Sequence, residues 1–388
     1  MYFHTPTFLL ALSLVFSRRP LSIRHMFFAV TFSILFLILR AMVIAGRILD
    51  DILYPGWRAQ EIRKPIFIIG NPRSGTTFTH RLMAGDDRFT YLKLWQTIFP
   101  SVTYYRLFGL LGRLDKEIGA PFTRMLAYIT RKGLSGWEKM HPTGPDKAES
   151  DEMLFVYAFL SPLVSLLFPY LDELPQLKFP DRLPADDRDH LRLYFKDCLK
   201  RHVYATRATR ATGASGTALS DRILLEKVAL IAGRLRLVLA TLPDMRIVHL
   251  VRHPYESVPS LMSMFHAPLP TLAPQHAAKD GPAMRQVAAM IFEYYRTILE
   301  VKRTLAPERF MEVRYEELVA DSAGTVKRIY DRFGIPTSPN YQDWLARETA
   351  LARDYRSRHA YSLEEFGLTR EMVYTELKDV FAEYGFKP

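Results

Sequence analysis

The sequence predicts an α/β fold: a mainly parallel sheet between two helical layers, preceded by an apolar, helical N-terminal segment. Three observations predict it. An apolar run of strand length at 64–70 is continuous rather than alternating, as expected of a strand buried on both faces, and 246–251 is a further candidate strand. Segments of helical spacing fall between or after such runs, notably at 283–303 and 323–333, which is the order of a parallel sheet with crossover helices. The first 58 residues hold two further apolar runs, 8–16 and 26–39, in a basic stretch with no acid before Asp50.

The chain has 388 residues, 48% of them apolar, which suits one large domain with an appendage and excludes wholesale disorder. Its single cysteine, Cys198, excludes an internal disulfide and any cysteine-based zinc cluster. The net charge of +11 calls for an anionic partner: a membrane, a nucleic acid or a phosphorylated small molecule. Eight lysines and arginines against three acids lie in the first 64 residues, and the rest of the surplus is spread thinly. No stripe of basic residues interleaved with aromatics follows, so nucleic acid is not expected.

As a helix, 26–39 rises about 21 Å, short of a hydrocarbon core near 30 Å; extending it to Gly46 reaches that thickness and places Arg40 at one edge, where it can snorkel. A signal peptide fits poorly, because the long run starts late and lacks a small-residue cleavage site. Two readings stay open. In one the segment attaches to a membrane, spanning it or lying on it, with Arg18, Arg19 and Arg24 at the headgroups. In the other a helical hairpin packs on the soluble domain and its arginines are solvated. Membrane attachment is the expectation. Tyr54-Pro55-Gly56 then marks a turn, giving an anchor at 1–58 and a single domain at 59–388.

The domain opens with KPIFIIG at 64–70, a buried strand ending in glycine. A helix follows over Thr76–Ala84, with Phe78 and Leu82 four apart. Further strands are expected at 222–225, 246–251 and 310–314. The small-residue repeat TRATRATGASG at 206–216 reads as a surface loop.

Between the first strand and its helix lies Gly70-Asn71-Pro72-Arg73-Ser74-Gly75-Thr76-Thr77, with the glycine spacing of a P-loop. Such glycines let successive N–H groups converge on an anion at a helix N-terminus. The lysine that reaches a triphosphate is replaced by Thr76, and the cation sits inside the loop as Arg73. The strand at 246–251 ends in Arg252, where a magnesium-dependent NTPase often offers an acid. Both departures count against an ATP-dependent P-loop kinase.

At these residues the chain resembles the sulfotransferase family that uses 3′-phosphoadenosine 5′-phosphosulfate (PAPS), in its bacterial-type branch. PRSGTT at 72–77 is similar to the family's 5′-phosphosulfate loop, and RIVHLVRHPYESVPS supplies the arginine and serine of its 3′-phosphate site, Arg252 and Ser260. VRYEEL at 313–318 and the segment 355–368 resemble further family segments. The resemblance runs from about residue 64 to the end. It implies a P-loop-like three-layer sandwich, PAPS as co-substrate and no metal, with Arg73, Ser74, Gly75, Thr76 and Thr77 at the 5′ side. Arg252 and Ser260 then serve the 3′ side, with Arg356 and Ser357 closing over it.

Sulfuryl transfer needs donor and acceptor held in line, cations at the leaving group and a base for the acceptor proton. Arg73 is the first cation. Lys227, at an interval before Arg252 similar to that of the family's catalytic lysine, is the second. The base cannot be carried over: the stretch 91–96, YLKLWQ, lacks the glutamate of some members, and Ala229 stands where others have histidine. The remaining candidates lie in EKMHPTGPDKAESDE at 138–152. His141 is preferred for its natural pKa, while Glu149, Asp151 and Glu152 can instead cap the helix that follows. His80 and His253 read as structural, and Trp95 as one aromatic able to stack on adenine. The expected function is transfer of a sulfuryl group to a hydroxyl or amine of a lipid-like acceptor, by an enzyme on the cytoplasmic side of a membrane. The alternative from another class is a membrane- or polyanion-binding protein whose nucleotide loop is not catalytic.

Overall fold

Ile66–Ile69 is apolar on both faces and fully buried, and it forms β1, the middle strand of the sheet. The computed structural model describes residues 1–71, 74–121, 124–125, 149–209, 222–352 and 361–388. β2 (Phe89–Thr90), β3 (Ile223–Val228), β4 (Arg246–Val251) and β5 (Phe310–Arg314) complete five strands in the order β2-β3-β1-β4-β5, every neighbouring pair parallel. The chain leaves β1 toward β3 on one side and returns to β4 on the other. The strand order thus reverses at β1, where open α/β sheets place their ligands.

Alternation divides the core. Phe67 and Ile69 face a cluster that includes the N-terminal helices, and Ile66 and Ile68 face a second one. The elements are α1 (Thr5–Ser17), α2 (Ile23–Leu53), α3 (Thr76–Ala84), α4 (Leu94–Ile98), α5 (Val102–Glu117), α6 (Glu152–Ala158) and α7 (Ala185–Thr209). After β3 come α8 (Leu235–Thr241), α9 (Pro254–His266), α10 (Pro282–Thr304), α11 (Tyr315–Ala320), α12 (Ser322–Phe333) and α13 (Pro339–Ala352). Two short helices, α14 (Arg370–Glu376) and α15 (Lys378–Tyr384), end the chain. α3, α12 and α13 cover the second cluster; α9, α10 and α15 pack on the first.

Three differences from the sequence reading have physical causes. The strand expected at 222–225 continues to Val228, because the polar pair Glu226 and Lys227 is itself buried in the sheet. β2 is two residues long, too short for any period to show. The repeat at 206–216 begins as the last turn of α7, and its remainder lies outside the described residues.

The run at 26–39 is part of one helix of 31 residues, α2, long and apolar enough to cross a membrane. Ser22 caps its start by accepting from His25 N–H. Arg40 and Arg47 are not solvated. Both are buried, Arg40 donating to the carbonyl of Tyr157 and Arg47 to Sγ of Cys198 at 3.0 Å. Asp50, fully buried, pairs with Arg201 at 3.0 Å and accepts from the backbone N–H groups of Val102 and Thr103, fixing the start of α5.

Candidate active site

The strands' C-terminal ends bring the motifs together. β1 and β4 run in register, Ile69 beside His249, so Gly70 leaves β1 beside Leu250, near the end of β4 that leads into Arg252. Gly70 has φ +149, and a Cβ there would lie 2.5 Å from the carbonyl oxygen of Leu250, so this crossing demands glycine. Gly75, with φ +88, is the N-cap of α3, and its Cβ would lie 2.4 Å from Leu318 Cδ2 on α11. The loop thus rests on the segment that follows β5, the VRYEEL stretch.

Arg252 follows β4 and lies over the ring of Tyr315, 4.1 Å from its centroid, with Nε donating to Glu256 at 2.7 Å. Tyr315, the first residue of α11, also borders Gly75. The three motifs read as loop, arginine and VRYEEL therefore meet around one aromatic ring. Ser260 is buried on α9, one turn beyond Ser257. The Ser257 hydroxyl bonds to that of Tyr295 on α10, which in turn bonds to Asn71 of the loop. Burial pushes the Tyr295 phenol up to about 12, so it stays a neutral hydrogen-bonding link between loop and α9.

Ser74 is fully buried, and its Oγ has no hydrogen-bond partner among the described residues; the same holds for Thr79 Oγ1 on the first turns of α3. Orphaned hydroxyls at a helix N-terminus are unfavourable unless a ligand satisfies them. Thr76 is buried and Thr77 exposed at the same helix end.

Lys227 lies within β3, level with Ile68 of β1, and is 4% exposed. Its Nζ stands 3.5 Å from Oε1 of Glu149, whose backbone N–H is fixed on the carbonyl of Leu92 at 2.8 Å. Nearby His80 is buried and donates from Nε2 to the Leu225 carbonyl; burial first, and the Lys227 charge second, hold its imidazole down at about 3. It is neutral in the working range and reads as structural. His253 is structural too, capping α9 through Tyr255 N–H and packing against Phe381 and Phe386.

Asp151 occupies the N-cap of α6 but makes no side-chain cap. With Glu152 it instead binds the guanidinium of Arg234, at 2.9 and 2.8 Å, in the protein interior. That leaves Glu149 as the acid of the 149–152 cluster that faces Lys227. The sequence named it among the candidates; no spacing rule distinguished it, since the contact joins residues far apart in the chain. The indole of Trp95 is packed on Tyr105 and Phe108. Arg73, His141, Arg356 and Ser357 lie outside the described residues.

Residues 65–339 match the family model described as Sulfotransferase family, a span holding the loop, Lys227, Arg252 and Ser260. The chain belongs to the sulfotransferase family. It is 26% identical over 327 residues to the omega-hydroxy-beta-dihydromenaquinone-9 sulfotransferase Stf3 of Mycobacterium bovis, covering 83% of this chain and 75% of that one. The Stf3 of Mycobacterium tuberculosis matches to the same extent. Among solved structures, this sulfotransferase resembles STF9 from Mycobacterium avium, with TM-score 0.73, 17% identity, and 100% and 98% of the two chains covered. It also resembles STF1 from Mycobacterium tuberculosis, with TM-score 0.67, 18% identity, and 97% and 92% covered. At these identities the likeness establishes the fold.

Proposed function

We propose that this sulfotransferase moves the sulfuryl group of PAPS in line to a hydroxyl of a lipid-like acceptor. The observation that carries the reading is the meeting of the loop, Arg252 and the VRYEEL segment around Tyr315, with Lys227 two strands away at the same sheet edge. The residues fit a nucleotide with phosphate groups at both ends. On the 5′ side, the N–H groups of Gly75, Thr76 and Thr77 and the Ser74 hydroxyl, unpartnered among the described residues, offer donors, with Arg73 as the loop cation. On the 3′ side, Arg252, held by Tyr315 and Glu256, provides a fixed planar fork, joined by Ser260 and by Arg356 and Ser357.

Lys227 and Arg73 then offset the charge that grows on the bridging oxygen. Glu149, beside Lys227, takes the acceptor's hydroxyl proton. As the acceptor oxygen bonds to sulfur, the bond from sulfur to the 5′-phosphate oxygen breaks, and 3′,5′-ADP and a sulfate ester leave. His141 is the other candidate for the base. The lipid-like acceptor is suggested by the name of the Stf3 relatives and by the apolar surface of the N-terminal helices. In this reading the enzyme works at a membrane, on the cytoplasmic side where PAPS is supplied.

A thermal-shift titration tests the donor. 3′,5′-ADP should stabilise the protein, by about 2.7 kcal/mol at a hundredfold excess over Kd, and ATP with magnesium should not. The reverse ranking would favour a kinase and sink the assignment. Stabilisation by 3′,5′-ADP with no sulfate transferred to any acceptor would favour a non-catalytic nucleotide loop.

A further inference from the structure

α2 is amphipathic the wrong way round for a soluble protein. Five of its polar side chains, His25, Ser33, Arg40, Arg47 and Asp50, are buried and bonded: His25 to the Leu167 carbonyl at 2.7 Å, Ser33 to Ala29, and the others as described above, while Arg24 and Asp51 near its two ends are exposed and Thr31 is half-buried. The face turned outward is apolar. From Phe27 to Leu49 every exposed residue is hydrophobic, among them Ile34, Leu35 and Ile38 at 54–61% exposure, and Ile48. From Phe27 to Leu49 the row is about 33 Å long at 1.5 Å per residue, and the exposed Asp51 separates it from Ile52 and Leu53. An uninterrupted apolar strip of this size is far larger than the single exposed leucines of ordinary surfaces.

A second helix continues it. α5 packs on α2 where Gly46 meets Tyr104 and Ser101, and Tyr104 donates to the Met42 carbonyl. Beyond that contact, α5 presents Leu107, Leu110, Leu111, Leu114 and Ile118 to solvent, a stripe at helical spacing on the outside of the protein. Exposed cations border the strip: Arg19 and Arg24 before and at the start of α2, and Arg113 beside the α5 stripe.

We propose that α2 and α5 form a monotopic docking surface that lies in one leaflet of an anionic bilayer, with α2 parallel to the membrane plane. A bilayer fits the face better than a protein partner does, because from Phe27 to Leu49 the strip has no exposed polar side chain, only the half-buried Thr31, for the hydrogen bonds that rim a protein interface. The cations at its border match anionic headgroups. A transmembrane pose is opposed by the inner face of α2. Spanning would pull His25, Arg40, Arg47 and Asp50 away from bonded, buried positions and into hydrocarbon. This proposal builds on the reading of a lipid-like acceptor, since a surface so placed holds the active site against the membrane in which such an acceptor dissolves.

The test is flotation of the full chain with vesicles of phosphatidylcholine containing phosphatidylglycerol. Wild type should float. The pair Ile34→Glu with Ile38→Glu, and separately Leu110→Glu with Leu114→Glu, should stay in the soluble fraction while 3′,5′-ADP still stabilises both. Arg19→Ala with Arg24→Ala should weaken binding about thirtyfold on these vesicles and little on pure phosphatidylcholine. Depth is read with brominated lipids. Tryptophan placed by Phe27→Trp, Ile38→Trp or Ile48→Trp should be quenched from the same shallow level, whereas a span would put the Ile38 position far deeper than both. Wild type that fails to float and instead forms a dimer abolished by Ile34→Glu with Ile38→Glu would overturn the proposal in favour of a second copy. An α5 variant that floats like wild type would remove α5 from the surface. Binding is read apart from sulfuryl transfer, so a failure here leaves the donor and the chemistry standing, and failure of transfer leaves the docking standing.

Discussion

Lys227 shows how a side chain acquires a role from its place in a strand. A lysine 4% exposed in a sheet is costly unless a negative group compensates it, and Glu149 at 3.5 Å is that group among the described residues. Replacing Lys227 by alanine is expected to slow transfer by about 10²–10³, the usual loss for one preorganised charge stabiliser. Glu149→Gln should slow it by about 10²–10⁴ if Glu149 takes the proton, with 3′,5′-ADP affinity nearly unchanged in both variants. Rapid-quench turnover measured beside nucleotide titration separates the two effects. Full turnover by Glu149→Gln would return the role of base to His141. At the other end of the nucleotide, Arg252→Ala removes a charged fork and should weaken 3′,5′-ADP binding about ten- to a hundredfold, measured by calorimetry. An affinity equal to wild type would remove Arg252 from the 3′-phosphate site.

At the scale of elements, the strands and helices that carry the nucleotide motifs were legible before the fold. Thr76–Ala84, Arg246–Val251 and Phe310–Arg314 have the bounds the sequence gives them, because each is set by local apolar runs and glycine or proline punctuation. Elements fixed by tertiary partners were not. β3 is longer than its apolar run since Glu226 and Lys227 are buried by neighbours, and α2 hides Arg40 and Arg47 because Tyr157 and Cys198 come from elsewhere in the chain. The C-terminal helix α15 is tied to β5 in a similar non-local way. Glu312 accepts from Lys302 and Tyr384, each at 2.7 Å, with His249 at 3.6 Å. Burial pushes its carboxyl up, but these bonds outweigh it and hold the group at about 2 against an ordinary 4.5. A lowered folded-state pKa means the unfolded chain binds the proton first. The stabilisation is therefore complete above pH 4.5 and is lost as the pH falls through about 2. Glu312→Gln should melt below wild type at neutral pH, with the two Tm values converging between those limits. A constant difference across that window would show that the tie is not ionic.

For the whole molecule, charge and apolar surface are partitioned by task. Of the net +11, five units lie in the first 64 residues, with Arg19 and Arg24 bordering the apolar face and Arg40 and Arg47 buried, and the rest is spread thinly over the domain that holds the proposed nucleotide-site cations Arg73, Lys227 and Arg252. The sequence made the sulfotransferase fold readable, since glycine spacing and apolar strand runs are local signals. The outward apolar face of α2 was only half readable: the run was plain, but which side of it met the protein depended on packing with α5, α7 and the core. The reaction proposed for this family member, transfer of a sulfuryl group from PAPS to a lipid-like acceptor, can be measured outright. The most direct measurement incubates the full chain with PAPS carrying radiolabelled sulfate and a membrane lipid extract. Wild type should label a discrete lipid species and release 3′,5′-ADP in equal amount, and Lys227→Ala should label it about a hundredfold or more slowly. A wild-type enzyme that binds 3′,5′-ADP yet labels no lipid, or a Lys227→Ala variant that labels it at the wild-type rate, would contradict the account.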